Sequence, residues 1–203
     1  MGVVETIHGG YVHGRRVRAL SEHLARVLPE GAKVLDVGCG DGLVARAVLE
    51  RRRDLEILGI DVLVREGAHI AVEQFDGRKM PAENDSYDVV MFVDVLHHTD
   101  DPMVLLREAK RVARRAVVIK DHTRDGFLAG TTLRVMDRVG NARHGVRLPY
   151  NYWTRSRWEV AFEELGLKVA VWERDLGIYP AWADWVFGRG LHFVARLERA
   201  AEQ

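Results

Sequence analysis

The chain has 203 residues, 30 Lys plus Arg against 30 Asp plus Glu, and 47% hydrophobic residues. That length supports one domain, 1–203, with a real core. The balanced charge speaks against a protein that tracks a nucleic-acid backbone. No stretch is apolar for long enough to span a bilayer and no secretory-type segment is expected, so a cytoplasmic location is the expectation. Cys39 is the lone cysteine, which excludes an internal disulfide and a cysteine-rich zinc site. Over residues 12–28, Val17, Leu20, Leu24, Val27 and Leu28 recur at helical spacing until Pro29-Glu30-Gly31 stops them. Strands are predicted over 33–37, 56–60, 70–75, 88–94 and 115–121, with helices over 42–52 and 102–113. Asp101 can cap the second helix, Pro102 suits its first position, and Leu105, Leu106, Ala109 and Val112 make its buried stripe. Only Val62 to His69 separates the second and third strands, too short for the usual crossover helix, so a loop or single turn is expected. A helix is predicted from Gly126 to Val139 with Leu128, Thr132, Val135, Met136 and Val139 on one side. A loop at 140–145 and an extended aromatic stretch at 148–153 follow. Another helix runs over 155–165, capped by Thr154 or by Ser156 with Glu159, and ended by Gly166. Trp158, Phe162 and Leu165 are its core side. Two last strands, 167–174 and 191–198, are joined by the aromatic-rich stretch Tyr179 to Phe187. Strands alternating with helices imply a parallel sheet with right-handed crossovers.

The most informative stretch is Val34-Leu35-Asp36-Val37-Gly38-Cys39-Gly40-Asp41-Gly42. A buried strand ends in alternate glycines and a helix begins. Glycines there let the backbone approach a ligand closely, with a helix N-terminus beyond. A dinucleotide fingerprint reads Gly-x-Gly-x-x-Gly. Here Leu43 stands where that fingerprint wants its last glycine. Asp36 and Asp41 would repel a pyrophosphate and suit a cationic ligand carrying an ammonium group.

This stretch resembles motif I of the class I S-adenosylmethionine-dependent methyltransferases, hydrophobic-Asp-x-Gly-x-Gly-x-Gly. Three landmarks follow in the family's order. Ile57-Leu58-Gly59-Ile60-Asp61 is a strand ending in an acid about 20 residues past the loop, the interval of a ribose contact. Phe75-Asp76-Gly77 stands where the family places an acid against the adenine amino group. Ser86 to His98 resembles the fourth strand, whose end lies beside the methionine part of the cofactor. The likeness is good over 30–120 and holds in outline elsewhere. It implies a Rossmann-like, doubly wound α/β fold. Its sheet is seven-stranded and mostly parallel, with an antiparallel C-terminal strand and helices on both faces. It also implies S-adenosylmethionine as cofactor. On that reading Asp36, Gly38, Cys39 and Gly40 form the methionine-side loop, with Cys39 a packing residue. Asp61 holds the ribose, Asp76 with Gly77 the adenine edge, and Asp94 with Val95 floors the site.

In open α/β sheets ligands bind beyond the carboxyl ends of the strands. The fourth strand delivers Asp94, His97 and His98 there, and the fifth delivers Lys120, Asp121 and His122. Methyl transfer from a sulfonium is mostly alignment, but a hydroxyl acceptor needs a base, and histidine suits that role. His122 is the first candidate and His98 the second. No metal is part of this reading; a magnesium site at Asp94, Asp121 and His122 is the lesser alternative. Tyr150, Tyr152 and Trp153 are candidates to wall an acceptor pocket, with Tyr150 and Trp153 its substrate-binding residues. The 121–153 segment is read as an acceptor-facing insertion, and residues 1–30, with Tyr11 and His13, as an N-terminal helix and lid. The expected activity is methylation of a small organic molecule, on oxygen first, by a monomer or homodimer without a nucleic-acid partner. Two rivals stand: a catalytically silent cofactor-binding subunit supporting a partner, and an NAD-dependent Rossmann oxidoreductase.

Overall fold

The computed structural model describes residues 3–141, 149–180, 183–184, 187–188 and 190–199. Seven strands form one sheet: β1 (Lys33–Val37), β2 (Glu56–Asp61), β3 (Val72–Gln74), β4 (Tyr87–Val93), β5 (Ala113–His122), β6 (Leu167–Glu173) and β7 (His192–Arg199). Their order is β3-β2-β1-β4-β5-β7-β6. β1 to β5 pair in parallel, and β7 runs antiparallel to both of its neighbours. Alternate residues along each strand feed opposite faces, as a pleated strand requires. Val34, Val89, Met91, Val118 and Val194 meet α1 (Val3–Val27) and α2 (Leu43–Arg51) on one face. Leu35, Val90, Phe92, Ile119 and Phe193 meet α3 (Pro102–Val112) and α5 (Arg155–Glu164) on the other.

Helix boundaries follow local chemistry. Asp101 accepts the Met103 N–H at 2.9 Å and Pro102 opens α3, whose Leu105, Leu106, Ala109 and Val112 are all buried. Each of those leucines contributes about 1.5–3 kcal/mol by burial. Thr154, rather than Ser156, caps α5, taking the Arg157 N–H at 3.3 Å. No helix forms between Val62 and Ala71, so β2 and β3 are linked by loop alone. β3 is shorter than its apolar run suggested.

One element departs from the sequence pattern. α4 spans Ala129–Asn141 rather than 126–139, and its inward side is Ala129 and Leu133. Leu128 is 57% exposed with φ +56°, and Val135 is 52% exposed, so neither of these members of the expected face turns inward. The physical reason is a small docking surface. Among the described residues the apolar cluster that receives α4 is just Tyr152, Leu191 and half-buried Tyr150, so one apolar residue per turn is enough. The side chains of Val139, Tyr11 and His13, and the 142–148 stretch, lie outside the described residues.

Candidate functional site

The turn after β1 is tightly built. The Gly38 N–H donates to the Ile60 carbonyl at 2.7 Å, closing the turn on β2. Gly38 has φ +71°, and a Cβ there would stand 2.7 Å from Val95 Cγ2. Only glycine meets both demands. Cys39 packs its Sγ where a Cβ on Gly59 would be, at 2.5 Å. Burial, then Asp36 and Asp61, push its thiol well above the ordinary range, so it is a packing group and not a nucleophile.

Asp36 is 2% exposed, and among the described residues its Oδ1 has no hydrogen-bond partner. Burial first, and Asp61 second, raise its carboxyl to about 7. An orphaned buried carboxylate oxygen beside a glycine turn fits a ligand that brings a cation. Asp61 accepts the Gly40 N–H at 2.8 Å through Oδ2 and the Leu63 N–H at 3.0 Å through Oδ1. It therefore fixes the turn as well as standing at the expected ribose position. Asp76 is exposed, and its Oδ1 accepts the Arg78 and Lys79 N–H groups, each at 2.8 Å. That is the geometry of an Asp-Gly turn, with Gly77 at φ +76°.

At the end of β4 the expectation for Asp94 needs correction. Its carboxylate is engaged by Arg16 of α1 and Lys120 of β5. Burial opposes its ionisation, but Lys120 and Arg16 outweigh burial and hold it well below the usual range. The carboxylate therefore neutralises protein cations, and Val95, against Gly38, is the part of this turn that reaches the glycine loop. A carboxylate already serving two cations is a poor ligand for a third, magnesium included.

Beside it lies a histidine cluster. His97 Nδ1 is 2.7 Å from Asp121 Oδ1. Asp121 also receives the Leu96 N–H at 3.1 Å and the His122 N–H at 2.8 Å. Burial alone would lower His97, but Asp121 and Asp137 lift it to about 10. His122 Nδ1 stands 3.3 Å from Asp121 and 3.7 Å from Asp94. Burial, then Lys120, push His122 down to about 4, so its ring is neutral at physiological pH. His98 is also pushed down, by burial and then by His97. Burial drives Lys120 down as well, with Asp94 opposing, and His192 Nδ1 lies 3.3 Å from its ammonium. Tyr152 stacks on His97 at 5.3 Å and donates its hydroxyl hydrogen to Asp137 Oδ2 at 2.7 Å.

His97, His98, Asp121 and His122 thus converge as the strand ends suggested. Sequence reasoning missed Arg16, Asp137 and His192. Asp137 had a signal: it lies four residues after buried Leu133 on the inward stripe of α4. Tyr150 and Tyr152 line a cavity of about 320 Å³ together with Arg124 and Arg134. Trp153 does not. It is 9% exposed, packs on Trp158 at 4.8 Å and belongs to the core on the α3 and α5 face. Its ring N–H donates to Asn151 Oδ1 at 3.2 Å, which satisfies the one polar atom of the side chain on its way into the core.

A family model described as a methyltransferase domain matches residues 11–170. A ubiquinone biosynthesis O-methyltransferase of Stutzerimonas stutzeri is 31% identical over 104 residues, 45% of this chain and 43% of that protein. The 27-O-demethylrifamycin SV methyltransferase of Amycolatopsis mediterranei is 28% identical over 131 residues, 54% of this chain and 48% of that protein. The chain thus spans less than half the length of these two relatives. Among solved structures, a Haloferax volcanii methyltransferase, in complex with a methyltransferase activator, shares the fold. Its TM-score is 0.67 at 18% identity, over 95% of each chain.

Proposed function

This chain belongs to the class I S-adenosylmethionine-dependent methyltransferases, and on that premise we propose that it methylates an oxygen of a small organic acceptor. The observation that carries the reading is Asp36, an unpaired buried carboxyl beside the glycine turn, waiting for a cation. Both curated relatives above act on oxygen by name, which supports that acceptor atom.

S-adenosylmethionine, when bound, supplies an electrophilic methyl on a sulfonium. The chain supplies the rest. Gly38 and Gly40 let the backbone approach, Asp36 would meet the ammonium, Asp61 would hold the ribose and Asp76 the adenine edge. The 121–153 segment presents Tyr150 and Tyr152 to the acceptor. His122, its Nδ1 turned to Asp121 and Asp94, keeps Nε2 to take the acceptor's proton. With its ring held down to about 4, His122 is a weak base. It suits an acidic hydroxyl such as a phenol better than an alkyl alcohol.

Calorimetry with S-adenosylmethionine and with NAD separates this reading from a dehydrogenase; heat is expected with the first alone. Formation of S-adenosylhomocysteine from a panel of phenols separates enzyme from silent subunit. His122→Ala should lower turnover at least tenfold with cofactor affinity unchanged; full turnover in that variant removes it from the mechanism. Among the described residues no helix is long and apolar enough to cross a membrane.

A further inference from the structure

We propose that His97, His98 and Asp137 form a binding site for a divalent metal of the zinc class, beside Tyr152 at the end of β4. His97 Nε2 and His98 Nε2 each stand 3.7 Å from Asp137 Oδ1. One ligand atom from each of the three residues lies within 4.8 Å of the others. Tetrahedral ligands at about 2.1 Å from zinc stand about 3.4 Å apart, so the two histidine–Asp137 sides need shift by only a few tenths of an ångström, and the third side, within 4.8 Å, closes by rotation of the His98 ring. Two imidazoles and a carboxylate are the donor set of zinc and of iron or nickel, and not of magnesium or calcium.

Two further observations point the same way. Each of two ligands is aimed by a neighbour. Asp121 holds His97 by Nδ1 at 2.7 Å, which leaves Nε2 for the metal. Tyr152 donates to Asp137 Oδ2 at 2.7 Å, which orients the carboxylate with Oδ1 toward the two imidazoles. This carboxylate–histidine arrangement is the usual support of a metal-bound imidazole. His98 supplies the other observation. Its Nδ1 is buried without a hydrogen-bond partner, and its Nε2 lies beyond hydrogen-bonding distance of Asp137. A largely buried imidazole with neither nitrogen bonded among the described residues is costly unless something else occupies it.

The three ligands come from the turn after β4 and from α4 of the 121–153 segment. Three protein ligands leave a coordination position open, as in catalytic zinc sites. An acceptor oxygen bound there would lose its proton more readily, which offsets the weakness of His122 as a base. That role rests on the proposed methyl transfer; the binding of metal does not.

The purified full chain, stripped with chelator, is titrated with Zn²⁺ by calorimetry and with Co²⁺ by visible absorption. The expected result is one metal per chain and the d–d band of low-coordinate cobalt. His98→Ala and Asp137→Asn should each weaken binding at least 100-fold, and Asp121→Asn by 10–100-fold, with far-UV dichroism unchanged. His98→Gln serves as a second variant should the alanine misfold. Failure of the native chain to bind either ion overturns the proposal, leaving His97 as a charged imidazole shared by Asp121 and Asp137. Equal binding in His98→Ala and Asp137→Asn overturns it too, since the ion then sits elsewhere. S-adenosylmethionine calorimetry on the same samples keeps the two readings apart. Cofactor heat without metal binding sinks only the metal site, and metal binding without cofactor heat sinks only methyl transfer.

Discussion

Replacing Asp36 by Asn should make the empty protein more stable and the cofactor complex weaker. The folded carboxyl titrates at about 7 against an ordinary 3.8, roughly three units. At about 1.4 kcal/mol per unit, ionised Asp36 opposes folding by about 4 kcal/mol at pH 8. The sign follows from the raised value. An acid lifted in the folded state favours folding below pH 3.8, and that advantage is lost as pH rises through 7. An unpaired amide in the same place costs about 1–3 kcal/mol. The net expectation for Asp36→Asn is a gain of about 1–3 kcal/mol at pH 8, gone by pH 4, read from urea unfolding at both values. The same variant should bind S-adenosylmethionine about 10–100-fold more weakly, since a charge-assisted hydrogen bond is worth about 1.5–3 kcal/mol. In the native chain at pH 6, Asp36 is about nine-tenths protonated, so cofactor binding should release close to one proton. Calorimetry in buffers of different ionisation heat counts it. A variant no more stable at pH 8 than the native chain, or a native chain that releases no proton, refutes the reasoning.

Other substitutions probe the same frame. Lys120→Met leaves Asp94 with Arg16 alone and should destabilise by about 3–5 kcal/mol in thermal melts; adding Asp94→Leu should restore most of that loss. Gly38→Ala drives a methyl into Val95 and should cost about 1–3 kcal/mol in urea unfolding, with Val95→Ala relieving the steric part but not the cost of the positive φ. Trp153→Ala should destabilise by about 3–5 kcal/mol while S-adenosylmethionine affinity stays unchanged. A loss of affinity without loss of stability would return Trp153 to the pocket wall.

The sheet and its glycine turn were legible because they depend on near neighbours in sequence. Apolar runs, the alternate glycines and the Asp101 cap each state their structure within about ten residues. The short β2–β3 link was readable from length alone. The site was legible only at strand ends, where Asp94, His97, Asp121 and His122 had to gather. What could not be read was who answers each charge. Arg16 reaches Asp94 across 78 positions and His192 meets Lys120 across 72. Trp153 and Tyr150 looked alike as aromatics; what separates them is the partner each meets, Trp158 in the core for one and the cavity beside α4 for the other. The side of α4 that turns inward was misjudged because apolar periodicity weighs all hydrophobic positions equally, while the surface it docks on is small.

That small dock has a consequence for traffic. Among the described residues the apolar cluster under α4 is small, Ala129 and Leu133 against Tyr152 and Leu191, with the Asp137–Tyr152 bond beside it. Segments with so little buried apolar area detach at a free energy far below that of global unfolding. On that ground α4, which carries Asp137 beside His97 and His98, should open more readily than the sheet, and a guest could enter and leave without the sheet loosening.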